Sequence, residues 1–279
     1  MNWLNTSLLM ICSLATMVSS VAGAEPVVEI HKTNTGVVFG TWGPLPNKPV
    51  PTLIVLGSTM EGTLGSAYFR QCGNQLAKAG YLLISVDLPC HGKEHRANEP
   101  AGLAGWAYRC EQGEDFVADI NQRLTQVIDY LVSTKITNAD KIAVCGTSRG
   151  GYLAIQFAAH DQRVKAVAAF APVTDLTVLR EFKTHEKNPL VPALALMKQA
   201  EKLAGRPVWI IIGDRDERVG TDDSIAVARA ITKSSLSKGL TSRVDIHVIA
   251  EPRGHTVPPG ATELAGAWFQ RQMEPQESK

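Results

Sequence analysis

The stretch Ile142-Ala143-Val144-Cys145-Gly146-Thr147-Ser148-Arg149-Gly150-Gly151 decides how the rest of this chain is read. Four apolar residues form the short run of a buried strand, and an amphipathic segment, Arg149–Ala159, follows at once. The chain must turn sharply between them. Glycine two residues to either side of Ser148 leaves room for that turn, which lifts the serine hydroxyl clear of the backbone. Chance alone would place two such glycines around some serine in about one chain in ten of this composition, so the position between strand and helix carries the signal. A hydroxyl at a helix start, where free N–H groups favour negative charge, is a candidate nucleophile.

Outward from this turn, apolar runs alternate with helical patterns. Val27–Ile30, Val37–Trp42, Thr52–Leu56, Tyr81–Val86, Val164–Phe170, Val208–Ile212 and Val244–Ile249 read as strands beside Ile142–Cys145. Asp115–Val132 places Phe116, Ile120, Leu124, Val127, Ile128 and Leu131 on one stripe, and Ser224–Thr232 and Pro258–Gln270 also read as helices. Continuous apolar runs spaced by helices predict one α/β domain over residues 25–279, with a mostly parallel sheet of about eight strands covered on both faces. Two stretches break the rhythm. Residues 91–113 are glycine-rich, and residues 174–206 predict two helices around Asn188-Pro189. Both leave from strand ends where ligands bind in such sheets, so both are expected to cap a pocket.

The 28 basic and 27 acidic side chains leave a net charge of +1, with no basic field for nucleic acid or an anionic membrane. A small-molecule partner is expected, and oligomeric state is left open. Residues 1–24 hold no charged side chain, Leu8–Val18 is mostly apolar, and Ala22-Gly23-Ala24 has the small residues a signal peptidase reads. Cleavage after Ala24 and a secreted or periplasmic destination are expected, with an uncleaved anchor or lipidation at Cys12 as alternatives. Export would favour one disulfide among Cys72, Cys90 and Cys110, leaving Cys145 a buried strand thiol.

A serine nucleophile needs a base, and a histidine base needs a carboxylate. Of seven histidines, His31, His160 and His247 read as structural or solvated, whereas His255 follows the last strand and precedes the final helix. The order serine, acid, histidine recurs where a serine stands at this kind of turn. The acid should then follow Val208–Ile212, where Asp214, Asp216 and Glu217 all stand; spacing alone does not choose among them. Cys90, His91, Glu94 and His95 carry ligand-type side chains, but Gly92 places them in a loop and no metal is expected. No phosphate loop or dinucleotide fingerprint occurs, so no cofactor is implied.

Taken together, these motifs resemble the α/β-hydrolase superfamily, and within it the dienelactone-hydrolase and prolyl-oligopeptidase-like branch, from about Val27 to Gln270. That branch sets its acid in the pattern Gly, two residues, Asp, two residues, Val, matched by Gly213, Asp216 and Val219. The resemblance implies Asp216 as the acid, and Asp87-Leu88-Pro89-Cys90-His91-Gly92 is similar to the superfamily's loop after its fourth strand. Where relatives often carry His-Gly after the third strand, this chain has Leu56-Gly57-Ser58-Thr59; the resemblance implies Ser58 N–H, or Thr59 as fallback, paired with Arg149 N–H as the oxyanion hole. His91, Trp106 and Tyr108 are expected to wall the substrate pocket, with the Arg149 side chain free to meet a substrate carboxylate. The expected activity is hydrolysis of a carboxylic ester through an acyl-enzyme. The alternatives are a small serine peptidase or amidase, and a catalytically silent binding protein.

Overall fold

Period-two alternation along the buried strands separates two cores. In β3 (Val50–Leu56), Leu53 and Val55 face one side of the sheet while Ile54 and Leu56 face the other. The structure, a computed structural model, describes residues 26–273. The expected export signal, residues 1–24, lies outside the described residues.

A hairpin of β1 (Val28–Lys32) and β2 (Val38–Trp42) opens the sheet, and β2 lies antiparallel to β4 (Leu82–Ser85). Strands β3, β4, β5 (Thr137–Thr147), β6 (Val164–Phe170), β7 (Val208–Gly213) and β8 (Val244–Ile249) run parallel, in the order β1-β2-β4-β3-β5-β6-β7-β8. This is the eight-stranded α/β sheet expected. β5 begins five residues before its apolar run, because Val50 pairs with Thr137 and the buried Thr52 and Thr137 hydroxyls hydrogen-bond at 2.7 Å.

Three short helices, α1 (Met60–Leu64), α2 (Ala67–Arg70) and α3 (Gly73–Lys78), join β3 to β4. α4 (Gly102–Glu111) lies in the first predicted cap, and α5 (Phe116–Ser133) follows, capped by Asp115 Oδ1 accepting from the Val117 and Ala118 N–H groups. α6 (Arg149–His160) starts at the Ser148 turn. In residues 174–206 the two expected helices are replaced by 3₁₀ turns at Leu176–Val178, Arg180–Phe182 and Leu196–Gln199 and one turn of helix, α7 (Leu190–Ala193). Pro189 and Pro192 lack the N–H groups a longer helix needs, while buried Leu176, Leu179, Phe182, Val191 and Leu196 tie the segment to the core. α8 (Thr221–Ser237) and α9 (Ala261–Met273) complete the fold. Helices α5, α6 and α8 cover the face of Ile54, and α3 and α9 cover that of Leu53.

The expected disulfide is not formed: Cys72, Cys90, Cys110 and Cys145 are all buried free thiols. Cys145 is a strand thiol, hydrogen-bonded to Cys72 and pushed far above its ordinary value, by burial first. Burial likewise pushes Cys90 and Cys110 up to about 12. Cys90 is held in a hydrogen-bonded corner with Glu99, whose carboxylate grips Arg109 at 2.8 Å. Hydrogen bonds from Arg109 are the main cause that holds Glu99 at about 2. Since the folded state lowers this pKa, the pair stabilises fully above the ordinary carboxylate value and loses its contribution as pH falls toward about 2. Acid unfolding followed by circular dichroism should therefore show a loss of Tm on acidification that is smaller in Glu99→Gln, the remainder coming from other carboxylates such as Glu251, which hydrogen bonds from Arg253 also hold at about 2.

Candidate active site

Gly146, Ser148, Gly150 and Gly151 are forced by the turn between β5 and α6. Ser148 has φ +54° and ψ −115°, a conformation rare for a side-chain-bearing residue. It is held there by Ser148 N–H donating to Phe170 O at 2.8 Å, and by Val173 N–H and Tyr152 N–H donating to Ser148 O. A Cβ on Gly150 would stand 1.9 Å from Leu56 O, and one on Gly146 would stand 2.3 Å from Gly150 O. Gly150→Ala is therefore expected to fold poorly or displace the turn, costing about 2–4 kcal/mol; thermal melting and ester turnover would register it together.

His255 Nε2 lies 3.0 Å from Ser148 Oγ, and His255 Nδ1 lies 2.8 Å from Asp216 Oδ2. A carboxylate accepts, so Nδ1 carries the proton and Nε2 presents its lone pair to the serine hydroxyl. The Asp216 side chain is fully buried; Arg218 N–H and Val219 N–H donate to its other oxygen at 3.1 and 3.2 Å. Val219 is itself buried, which explains why a valine three residues after the acid fits this loop. Asp214 does something else: its Oδ1 accepts from Glu251 N–H at 2.8 Å and fastens the loop after β8. Glu251, which the sequence reading passed over, is almost fully buried and grips the Arg253 guanidinium at 2.6 and 2.7 Å, bracing the turn that carries His255. Only the close Glu-x-Arg spacing could have hinted at it.

Arg149 is the first residue of α6, so its N–H has no acceptor within the helix. The expected partner is placed differently. Ser58 N–H donates to the buried Thr63 Oγ1 at 3.0 Å, and Thr59 caps α1 through its hydroxyl. Asp87 ties the same loop to the turn after β4, accepting from Met60 N–H and Lys93 N–H.

The expected pocket walls need correction. Trp106 is fully buried, stacks on Phe116 with centroids 4.6 Å apart and donates its indole N–H to Pro89 O. Tyr108 is partly exposed and lines neither chamber at Ser148. His91 stands behind the cleft, its Nε2 2.8 Å from Arg149 Nη1. Among the described residues no cluster of three or more metal-ligating side chains occurs; His95 Nε2 lies 2.7 Å from Glu99 O.

Two chambers meet at Ser148 and His255. One, of about 380 Å³, is lined by Ala101–Ala104, Val173, Leu179, Arg149, Arg180, Glu181 and Arg218. The other, of about 250 Å³, is lined by Gly57, Ser58, Tyr68, Phe69, Ala171 and Val257. A larger groove of about 730 Å³ lies between α8 and β8 and contains no member of the Ser148 constellation.

Residues 40–248 match the dienelactone hydrolase family. The chain belongs to that family. This dienelactone hydrolase family member is 24% identical over 242 residues to Esterase YjfP of Escherichia coli K12, covering 81% of this chain and 90% of that protein. Its fold is similar to TT1662 from Thermus thermophilus (TM-score 0.66, 20% identity, 89% of this chain and 99% of that one). It is also similar to the Pyrococcus furiosus esterase Pf2001 (TM-score 0.62, 20% identity, 90% and 94%). The acylaminoacyl peptidase of Pyrococcus horikoshii superposes with TM-score 0.66 at 16% identity, over 92% of this chain but only 43% of its own length. This family member is a hydrolase with the α/β-hydrolase fold, as the motifs implied.

Proposed function

We propose that this hydrolase is a serine esterase that works through an acyl-enzyme on Ser148. The observation that carries the reading is the unbroken hydrogen-bonded path from Asp216 through His255 to Ser148, at 2.8 and 3.0 Å. Ser148 Oγ attacks the ester carbonyl as His255 Nε2 takes its proton. The collapsing intermediate expels the alcohol, which receives that proton from His255, and water repeats the sequence to release the acid. Asp216 keeps His255 in the useful tautomer and stabilises its protonated form. Arg149 N–H, free of any acceptor within its helix, supplies an oxyanion donor.

An ester is favoured over a peptide because the cap segments here are short and pinned to the core, leaving the cleft open to small substrates. The esterase names of YjfP and Pf2001 support the same choice. Export is proposed separately, on the uncharged apolar run of residues 1–24. Fluorophosphonate treatment followed by peptide mass spectrometry tests the central claim: one adduct on the Ser148 peptide is expected, together with hydrolysis of p-nitrophenyl acetate. A folded protein that takes up no label would sink it.

A further inference from the structure

We propose that the free edge of β8 is an interface for a second copy of this chain, which docks antiparallel in one register and joins the two sheets into one. The pairing stands apart from the chemistry at Ser148.

β8 is the last strand in the sheet order, and among the described residues no strand pairs with its outer side. Its contacts with β7 decide which backbone groups face outward. Val208 N–H donates to Arg243 O at 3.0 Å and Asp214 N–H donates to Ile249 O at 2.8 Å, with the two strands in unbroken parallel register between. In a strand, the N–H and C=O of one residue point to the same side, and the side alternates along the chain. Residues 243, 245, 247 and 249 therefore turn toward β7, leaving the N–H and C=O of Val244, Ile246 and Val248 on the open edge. Proteins commonly blunt such edges with lysine, proline or a bulge. Val244-Asp245-Ile246-His247-Val248 has none of these, whereas β1, at the opposite margin, ends in an exposed Lys32.

Read backwards, these five residues complement themselves. In an antiparallel pair of identical strands only residues turned the same way can face each other, so a twofold-related copy can centre on Asp245, Ile246 or His247. Centring on Asp245 sets two carboxylates face to face. Centring on His247 sets two imidazoles face to face and Asp245 against Ile249. Centring on Ile246 avoids both: Val244 faces Val248 of the second copy, Ile246 faces its own counterpart, and Asp245 faces His247 on each side of the axis. Opposite charges and matched apolar side chains favour a register, and like charges directly opposite disfavour it. Within the bounds of β8, this register alone lets Val244, Ile246 and Val248 all exchange hydrogen bonds.

The flank supplies apolar surface. Val244 and Ile246 line the groove of about 730 Å³ beside α8, together with Ala226, Ala230 and Leu236. Leu236 is 64% exposed and Val248 42%, so a second copy on this edge removes apolar area from water beside the ladder. Arg229 and Lys233 are exposed on the same groove, where their stems can cover it while their charged ends stay in water. On the other face of the sheet, Trp268 donates its indole N–H to Asp245 Oδ2 at 2.6 Å, and the His247 ring lies 5.2 Å from that of Trp209. Both members of the polar pair are thus set before a partner arrives.

Sedimentation equilibrium from about 1 µM to about 200 µM reads the mass, and amide exchange by NMR reads the surface used. The mass of two chains is expected at the top of this range, falling to one on dilution. In the pair, the amides of Val244, Ile246 and Val248 should slow by roughly tenfold or more, while those of Asp245, His247 and Ile249, already turned to β7, should change less. Mild heating parts the pair first, and in the separated chain β8 remains the least protected strand. His247→Glu sets an acid against Asp245 and should weaken the pair by roughly 10- to 100-fold; adding Asp245→Lys should restore most of it. Should these variants fail to fold, Val248→Lys, at an exposed position, should weaken the pair by a similar factor. A single-chain mass at the highest concentration overturns the proposal, as does a dimer whose edge amides stay fast. A single-chain mass with slow edge amides would place a segment of the same chain on the edge, and overturns it too.

Discussion

Ser148→Ala is expected to lower ester turnover by roughly 10⁴- to 10⁶-fold, with the fold and Tm nearly unchanged. The hydroxyl lies 3.0 Å from His255 Nε2 and, among the described residues, is the group on the hydrogen-bonded path described that can form an acyl intermediate. Its removal leaves the Arg149 N–H and the binding chambers, which retain a residual rate above water. Alanine keeps a Cβ at φ +54°, so whatever strain the turn stores is stored in both proteins. The decisive comparison is turnover by purified, folded variant: a loss of less than about tenfold would remove Ser148 from the chemistry.

Asp216→Asn is expected to cost roughly 10⁴-fold in kcat. An amide offers His255 Nδ1 a nitrogen donor or a weaker oxygen acceptor, so the imidazole loses both its tautomeric bias and the charge that stabilises imidazolium. Arg218 N–H and Val219 N–H would hold the asparagine in place, which keeps the loop intact and confines the damage to the histidine. Asp214→Asn should cost less than about threefold, since its amide oxygen can still accept from Glu251 N–H. Equal losses from the two substitutions would mean that Asp216 acts by supporting the loop and not through His255.

The contrast between these two aspartates shows where sequence reading stopped. The strand, glycine turn and helix around Ser148 are local, and sterics within a few residues dictate them. Asp214 and Asp216 stand two positions apart after the same strand, and their separate tasks depend on which one faces the loop of residue 255. That is a long-range fact, supplied in advance only by the resemblance to a family pattern. Trp106 failed for a related reason. A bulky aromatic near the site in sequence suggests a pocket wall, but α4 turns it inward, where its indole N–H finds Pro89 O. The chamber's Glu181–Arg218 pair joins residues 37 positions apart and has no sequence signature. The disulfide expectation rested on compartment and parity, and neither shows that Cys72 lies against Cys145 or that Cys90 turns toward Glu99.

The three members of the Ser148 constellation hang from strands of unequal security. Ser148 follows β5 and Asp216 follows β7, both paired on two sides, whereas His255 follows β8, the last strand of the sheet and one with no fully buried residue. Sub-global opening should therefore begin at that margin, releasing β8 and its loop while the central strands stay closed. On mild heating, amide protons of Val244–Ile249 should exchange with deuterium before those of β5 and β7. Esterase activity should then vanish several degrees below the calorimetric midpoint and return on cooling, since Ser148 would have lost its contact with His255 while most of the molecule remained folded.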